Sequence, residues 1–144
     1  MAEKLIYLVE DNEADIILIK ESMKMIATKF TMLIFNDGEA AIEQFKMLEA
    51  KPEMQLPDIL LLDINIPRRS GLEVLQYFKS SDYLRHIPVV MMSTSQSRHD
   101  VMRSYRTGAN SYVCKPVDFS EFTNSIRDIC HYWFTRSIIP ETNS

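Results

Sequence analysis

The sequence predicts an α/β domain built on a five-stranded parallel sheet, and three observations carry that prediction. Short apolar runs recur five times along the 144 residues, segments of helical periodicity separate them, and the connections are too long for hairpins. Each run is continuous rather than alternating, the pattern of strands buried on both faces of a parallel sheet.

The elements follow in order. Residues 5–9 (LIYLV) form the first predicted strand. A helix over 14–26 places Ile16, Leu18, Ile19, Met23 and Ile26 at three- and four-residue spacings, with Lys20, Glu21 and Lys24 facing elsewhere. The second strand is 32–35, and the next helix 39–49. A loop over 51–57, carrying two prolines, leads to the third strand, 59–62. Helix 71–78 and strand 89–92 follow, then a helix of weaker periodicity over 98–106 and a fifth strand at 112–114. The last helix, 119–134, is entered through Asp118 and Glu121 at the spacing of a capping box. One domain over 1–134 and a tail over 135–144 result.

Composition narrows the class. Hydrophobic residues at 46% and charged residues at 25% suit a packed core and exclude wholesale disorder, while 3 Gly and 6 Pro exclude a collagenous chain. Sixteen Lys and Arg against 20 Asp and Glu give a net charge of -4, with no basic cluster to hold phosphates, so nucleic acid is not an expected partner. No apolar run approaches the ~20 residues that cross a bilayer. The start, MAEKLIYLVEDN, meets acid too early for a secretory leader, and a cytoplasmic protein without membrane contact is expected. Cys114 and Cys130 are too few and too far apart for a disulfide framework or a zinc site and are expected as buried thiols. His86, His99 and His131 are expected at the surface, and the nine methionines as fillers of core gaps.

In open α/β sheets, function gathers at the carboxyl ends of the strands. Here the first strand is followed by Glu10 and Asp11, the third by Asp63, the fourth by Ser93 and Thr94, and the fifth by Lys115 and Pro116. Neighbouring carboxylates raise one another's pKa, and a divalent cation relieves the conflict. Oxygen ligands without His or Cys select Mg²⁺ or Mn²⁺, and Mg²⁺ favours one or two carboxylates completed by water and a phosphate oxygen. With a carboxylate as nucleophile, a phosphoryl group would lie between the cation, the Lys115 ammonium and the Ser93 hydroxyl. The product is an aspartyl phosphate. Each signal alone has a plainer reading: Glu10 and Asp11 as acids favoured at a helix N-terminus, Ser93 to Ser95 as a capping run, Lys115-Pro116 as a loop. Asp63 directly after ILLL is harder to explain away, because a buried unpaired charge is costly.

The segments LVEDN at 8–12, DILLLDINIP at 58–67, IPVVMMSTS at 87–95 and GANSYVCKP at 108–116 together resemble the receiver domain of two-component response regulators over about residues 4–134. The resemblance implies a flavodoxin-like fold with strand order 2-1-3-4-5 and helices on both faces. It implies that Asp63 accepts phosphate from the phosphohistidine of a sensor histidine kinase. Asp11 would ligate Mg²⁺, with Glu10 assisting through water and Asp63 and the Asn65 carbonyl completing the protein ligands. Lys115 would form a salt bridge and precede a cis peptide to Pro116, and Ser93 with Tyr112 would make a switch. Asn65 and Thr94 stand where the family tunes the access of water. The ending HYWFTRSIIP and the loop before the third strand are similar to the small response regulators associated with phytochrome-type histidine kinases, whose last helix and tail contribute to homodimers. Equally, Trp133, Phe134, Ile138 and Ile139 could close the bottom of the core.

The expected function is that of a stand-alone response regulator. It is Mg²⁺-dependent, phosphorylated on Asp63, and signals to a downstream protein through an altered surface. Its only catalysis would be its own phosphorylation and dephosphorylation. A receiver-like binding module that never uses phosphate is the alternative. A haloacid-dehalogenase-like phosphatase would need a second Asp two residues after the nucleophile, where Asn65 stands. A flavodoxin is disfavoured because EDNEAD is acidic where a flavin phosphate needs hydroxyls and backbone amides.

Overall fold

The computed structural model describes residues 3–26, 28–115 and 118–140. Five strands, β1 (Lys4–Val9), β2 (Phe30–Phe35), β3 (Ile59–Asp63), β4 (Val89–Ser93) and β5 (Ser111–Cys114), form one sheet in the order β2-β1-β3-β4-β5, every pair parallel. Among the described residues four helices join them, α1 (Glu13–Met23), α2 (Gly38–Ala50), α3 (Gly71–Ser80) and α4 (Arg98–Thr107), and a fifth, α5 (Phe119–His131), follows the last strand. The expected topology is the observed one.

The period of two along a strand sorts the central residues into two cores. Leu5, Tyr7 and Val9 of β1, Leu60 and Leu62 of β3, and Val89 and Met91 of β4 pack with Phe45 and Leu48 of α2 and Val74, Leu75 and Phe78 of α3. The residues between them, Ile6, Leu8, Ile59, Leu61, Val90 and Met92, pack on the other face with Ile16, Ile19 and Met23 of α1 and Phe122, Ile126 and Cys130 of α5. Fully burying one such side chain contributes roughly 1.5–3 kcal/mol.

Two strands depart from the expected burial on both faces. β2 alternates, with Thr31 and Leu33 exposed, and β5 is half-buried throughout. Both are edge strands, which have a neighbour on one side only, and their apolar runs are therefore less completely covered. α1 ends at Met23, three residues short of its expected end. The helical pattern expected over 119–134 divides into α5 and a single π-helical turn, Tyr132–Arg136. Side-chain caps explain the starts: Asn12, Asp37, Ser70, Ser97 and Asp118 each accept a backbone N–H of the following first turn. The cap of α4 is thus Ser97 and not the run 93–95.

Several smaller expectations also change. Cys130 is buried and its thiol is pushed up to about 12 by that burial, but Cys114 is only half-buried. His99 and His131 are exposed, whereas His86 is half-buried. Met25, Met47 and Met102 are exposed, while Met23, Met91 and Met92 fill the core. Trp133 and Phe134 pack partly against the α1–α5 core, and Ile138 is 97% exposed. Among the described residues no helix is long and apolar enough to cross a membrane.

Candidate functional site

The sheet ladder runs one residue past the strand ends. Glu10 N donates to Phe35 O at 3.0 Å, Ile64 N to Met92 O at 3.3 Å and Lys115 N to Ser93 O at 2.7 Å, so the chemistry-bearing residues start from hydrogen-bonded backbone. β3 is fixed from below as well. A Cβ on Gly71 would meet Asp63 O at 2.1 Å, so only glycine lets the start of α3 lie against the end of β3, and Gly71 N donates to Ile64 O at 2.8 Å. In the intervening loop Arg68 and Arg69 adopt positive φ, 59° and 132°, and their side chains pair with Asp37 and Glu39.

Glu10, Asp11 and Asp63 converge as expected, one oxygen from each lying within 4.8 Å of the others. Glu10 is fully buried and Asp63 nearly so, while Asp11 is exposed. Glu10 Oε2 accepts from the backbone N–H groups of Asp11 and Asn12 at 3.1 and 3.3 Å, and Asp63 Oδ1 accepts from Asn65 N at 3.3 Å. Burial, reinforced by the neighbouring Asp63, pushes the Glu10 carboxyl up to about 7 despite its bond to Lys115.

Lys115 reaches into this cluster. Its ammonium donates to Glu10 Oε1, to Asp15 Oδ2 at 2.8 Å and to Asp63 Oδ2 at 3.1 Å, with only 8% of the side chain exposed. Burial works against the charge, but the hydrogen bonds to Asp15 and Glu10 and the charges of Asp63 and Glu10 outweigh it and hold the ammonium above its ordinary range. Asp15 was not among the expected site residues. The sequence offers no signal for it beyond an acid in the first turn of α1, because its partner Lys115 lies one hundred residues away.

Ser93 lies deeper than expected. It is fully buried, its Oγ accepts from Ser95 N at 3.0 Å, and Thr94 is the residue of this pair that lines the open cleft. Asp11, Asn12, Asp15, Asp63, Asn65 and Lys115 line the remainder of that cleft, which has a volume of ≈ 430 Å³. Tyr112 is half-buried, and its hydroxyl donates to Ser95 O at 2.8 Å. Burial raises its pKa, opposed by the neighbouring Ser93 and Ser95. Ser95 Oγ in turn donates to Asp100 Oδ2 at 2.7 Å in the first turn of α4. The expected cis peptide between Lys115 and Pro116 lies outside the described residues.

A family model for the response regulator receiver domain matches residues 6–127 of this chain. The chain belongs to that family. As a receiver it is 32% identical over 137 residues to the response regulator Rcp1 of Synechocystis sp., a match covering 95% of this chain and 93% of Rcp1. It is 36% identical over 129 residues to a probable methanogenesis regulatory protein, FilR2, of Methanothrix harundinacea, covering 90% of this chain and 83% of that one. Among solved structures, the phosphorylated cyanobacterial phytochrome response regulator RcpA superposes with a TM-score of 0.90 at 34% identity, covering 97% of this receiver and 100% of RcpA. The Mn²⁺-bound form of Rcp1 gives 0.88 at 32% identity, covering 96% and 99%. The donor set fits a hard divalent cation: three carboxylates converge without His or Cys, two of them fixed by backbone N–H bonds and one open to solvent and to further water ligands.

Proposed function

We propose that this receiver takes a phosphoryl group onto Asp63 from the phosphohistidine of a sensor histidine kinase and signals through a changed protein surface. The observation supporting this is the position of the Asp63 carboxylate, held between an acid cluster and the Lys115 ammonium at the wall of an open cleft. An Asp63 oxygen attacks phosphorus, an O–P bond forms as the donor's P–N bond breaks, and the imidazole leaves with that electron pair. Glu10, Asp11 and Asp63, with the Asn65 carbonyl, would hold Mg²⁺, which supplies positive charge against the oxygens of the transferring group. Lys115 donates to one such oxygen, and Asn65 and Thr94 border the approach of water.

The new charge competes for the Ser93 hydroxyl, which accepts from Ser95 N, and Ser95 in turn holds both the Tyr112 hydroxyl and Asp100. α4 is the element this rearrangement can move, because Ser104 is its one buried residue. The resemblance to RcpA and Rcp1 supports a phytochrome-type kinase as donor, and the exposed Tyr132 and Ile138 beside Trp133 support a homodimer of the tail. Light scattering tests the homodimer: a mass of one chain at micromolar concentration removes it.

Incubation with Mg²⁺ and acetyl phosphate, followed by intact mass spectrometry, tests the central reading. The expected result is one labile phosphate, absent in Asp63→Asn. No adduct from acetyl phosphate or from a histidine kinase would favour the phosphate-independent module instead. Sustained turnover of unrelated phosphate esters would favour a phosphatase.

A further inference from the structure

The Lys115 ammonium has three hydrogens, and Glu10, Asp15 and Asp63 take all three. Two of these partners have other work. Glu10 and Asp63 belong to the cluster of converging oxygens, and Asp63 is the proposed phosphoryl acceptor. Among the described residues Asp15 is the remaining partner, outside that cluster, on α1 rather than at a strand end, and lining the same cleft. It is also well placed to act as an anchor: its own backbone N–H is capped by Asn12 Oδ1 at 3.0 Å, and its side chain is only 26% exposed. An acid in the first turn of a helix is ordinarily accounted for by the helix dipole, which asks for no partner. Asp15 has one at 2.8 Å, buried and cationic.

We propose that Asp15 is a positioning residue for phosphotransfer, acting through Lys115. It draws the ammonium to the α1 side of the cleft and keeps it there while the oxygens of Glu10 and Asp63 are given over to a cation and to phosphorus. Without Asp15 the ammonium falls back on those two carboxylates, competing with a divalent cation for Glu10 and engaging the nucleophile. The inference rests on the phosphotransfer reading above. It assigns Asp15 no contact with the phosphoryl group.

The test is a double-mutant cycle, with phosphorylation by acetyl phosphate followed at saturating Mg²⁺ and Mg²⁺ affinity measured separately by calorimetry without a phosphoryl donor. Asp15→Asn is expected to slow phosphorylation about tenfold and to weaken Mg²⁺ binding about threefold, because the released ammonium then competes for Glu10 and engages Asp63. Asp15→Glu, which keeps the charge, is expected to recover most of both. In a Lys115→Met background, Asp15→Asn is expected to change the residual rate by less than about twofold, because the group it acts through is gone. A wild-type rate in Asp15→Asn overturns the positioning role while leaving phosphotransfer intact. The same tenfold loss with and without Lys115 overturns it too, since the effect would then not pass through the ammonium. Failure of the wild-type chain to gain phosphate on Asp63 overturns both readings together.

Discussion

Lys115 and Lys79 are two substantially buried lysines at opposite ends of one sheet, and their surroundings differ in kind. Lys115, beyond the carboxyl end of β5, meets three carboxylates. Lys79, at the end of α3, donates to the carbonyls of Arg85 and Ile87, both at 2.9 Å, and to Asn110 Oδ1 at 3.1 Å, groups that precede the starts of β4 and β5. Burial disfavours the charge in both. At Lys79 neutral acceptors leave burial dominant and push the ammonium down to about 8, whereas at Lys115 the carboxylates reverse the sign. One end is a tie: Asn110 Oδ1 also accepts from Val89 N, so Lys79 fastens a loop to the beginning of β4. The other end carries more negative charge than its lysine can neutralise, and that surplus is what chemistry uses.

The contrast can be broken in three places. The largest effect is expected from Lys115→Met in EDTA at pH 7.5, which strands Glu10 and Asp63 without a cation and should cost about 3 kcal/mol in urea unfolding. The loss should shrink at pH 5, where Glu10, already pushed up to about 7, accepts a proton instead. An equal loss at both pH values would mean that the carboxylates do not need the ammonium.

Lys79→Met should cost less, about 1.5 kcal/mol at pH 7, for the hydrogen bonds it removes. Its pH dependence has a definite sign. The folded pKa of about 8 lies below the unfolded value of about 10.4, so between these the unfolded chain holds more protons and the wild-type fold gains stability as pH rises. The gap between wild type and Lys79→Met should therefore widen from pH 7 to pH 10, and a constant gap would show that the buried charge carries no penalty.

The smallest effect has the opposite sense. Glu10→Gln in EDTA at pH 7.5 should stabilise the fold by about 1 kcal/mol by removing part of the surplus charge, while Mg²⁺ affinity falls. Because the folded pKa of Glu10 is raised, its contribution is present below its ordinary pKa and lost as pH rises through about 7. Wild type should consequently lose ground to Glu10→Gln from pH 5 to pH 7.5. Parallel stability profiles in thermal melts would contradict this.

Much of the fold is legible in the sequence because its main signals are local. Continuous apolar runs mark β1, β3 and β4, the three to four residues between apolar positions mark the helices, and the residue after each run marks the site. What stays hidden depends on pairs of elements. That 32–35 belongs to an edge strand is not written in MLIF, since it depends on what lies beside it. Asp15 looks like any acid opening a helix until Lys115, one hundred residues later, is brought beside it. Gly71 reads as a helix start, and only the approach of Asp63 O shows why nothing larger fits. Ser93 and Thr94 are adjacent polar residues with no cue to which faces the cleft; Ser93 ends β4 and is buried with it, while Thr94 lies one residue beyond the strand and lines the cleft.

The slender attachment of α4 has an evolutionary consequence. A helix with Ser104 as its sole interior residue buries little apolar surface, so the exposed Arg98, Met102, Arg103 and Arg106 can be exchanged at small thermodynamic penalty. Selection can then redraw the outward chemistry of this helix for a new listener, leaving the chemistry at Asp63 untouched.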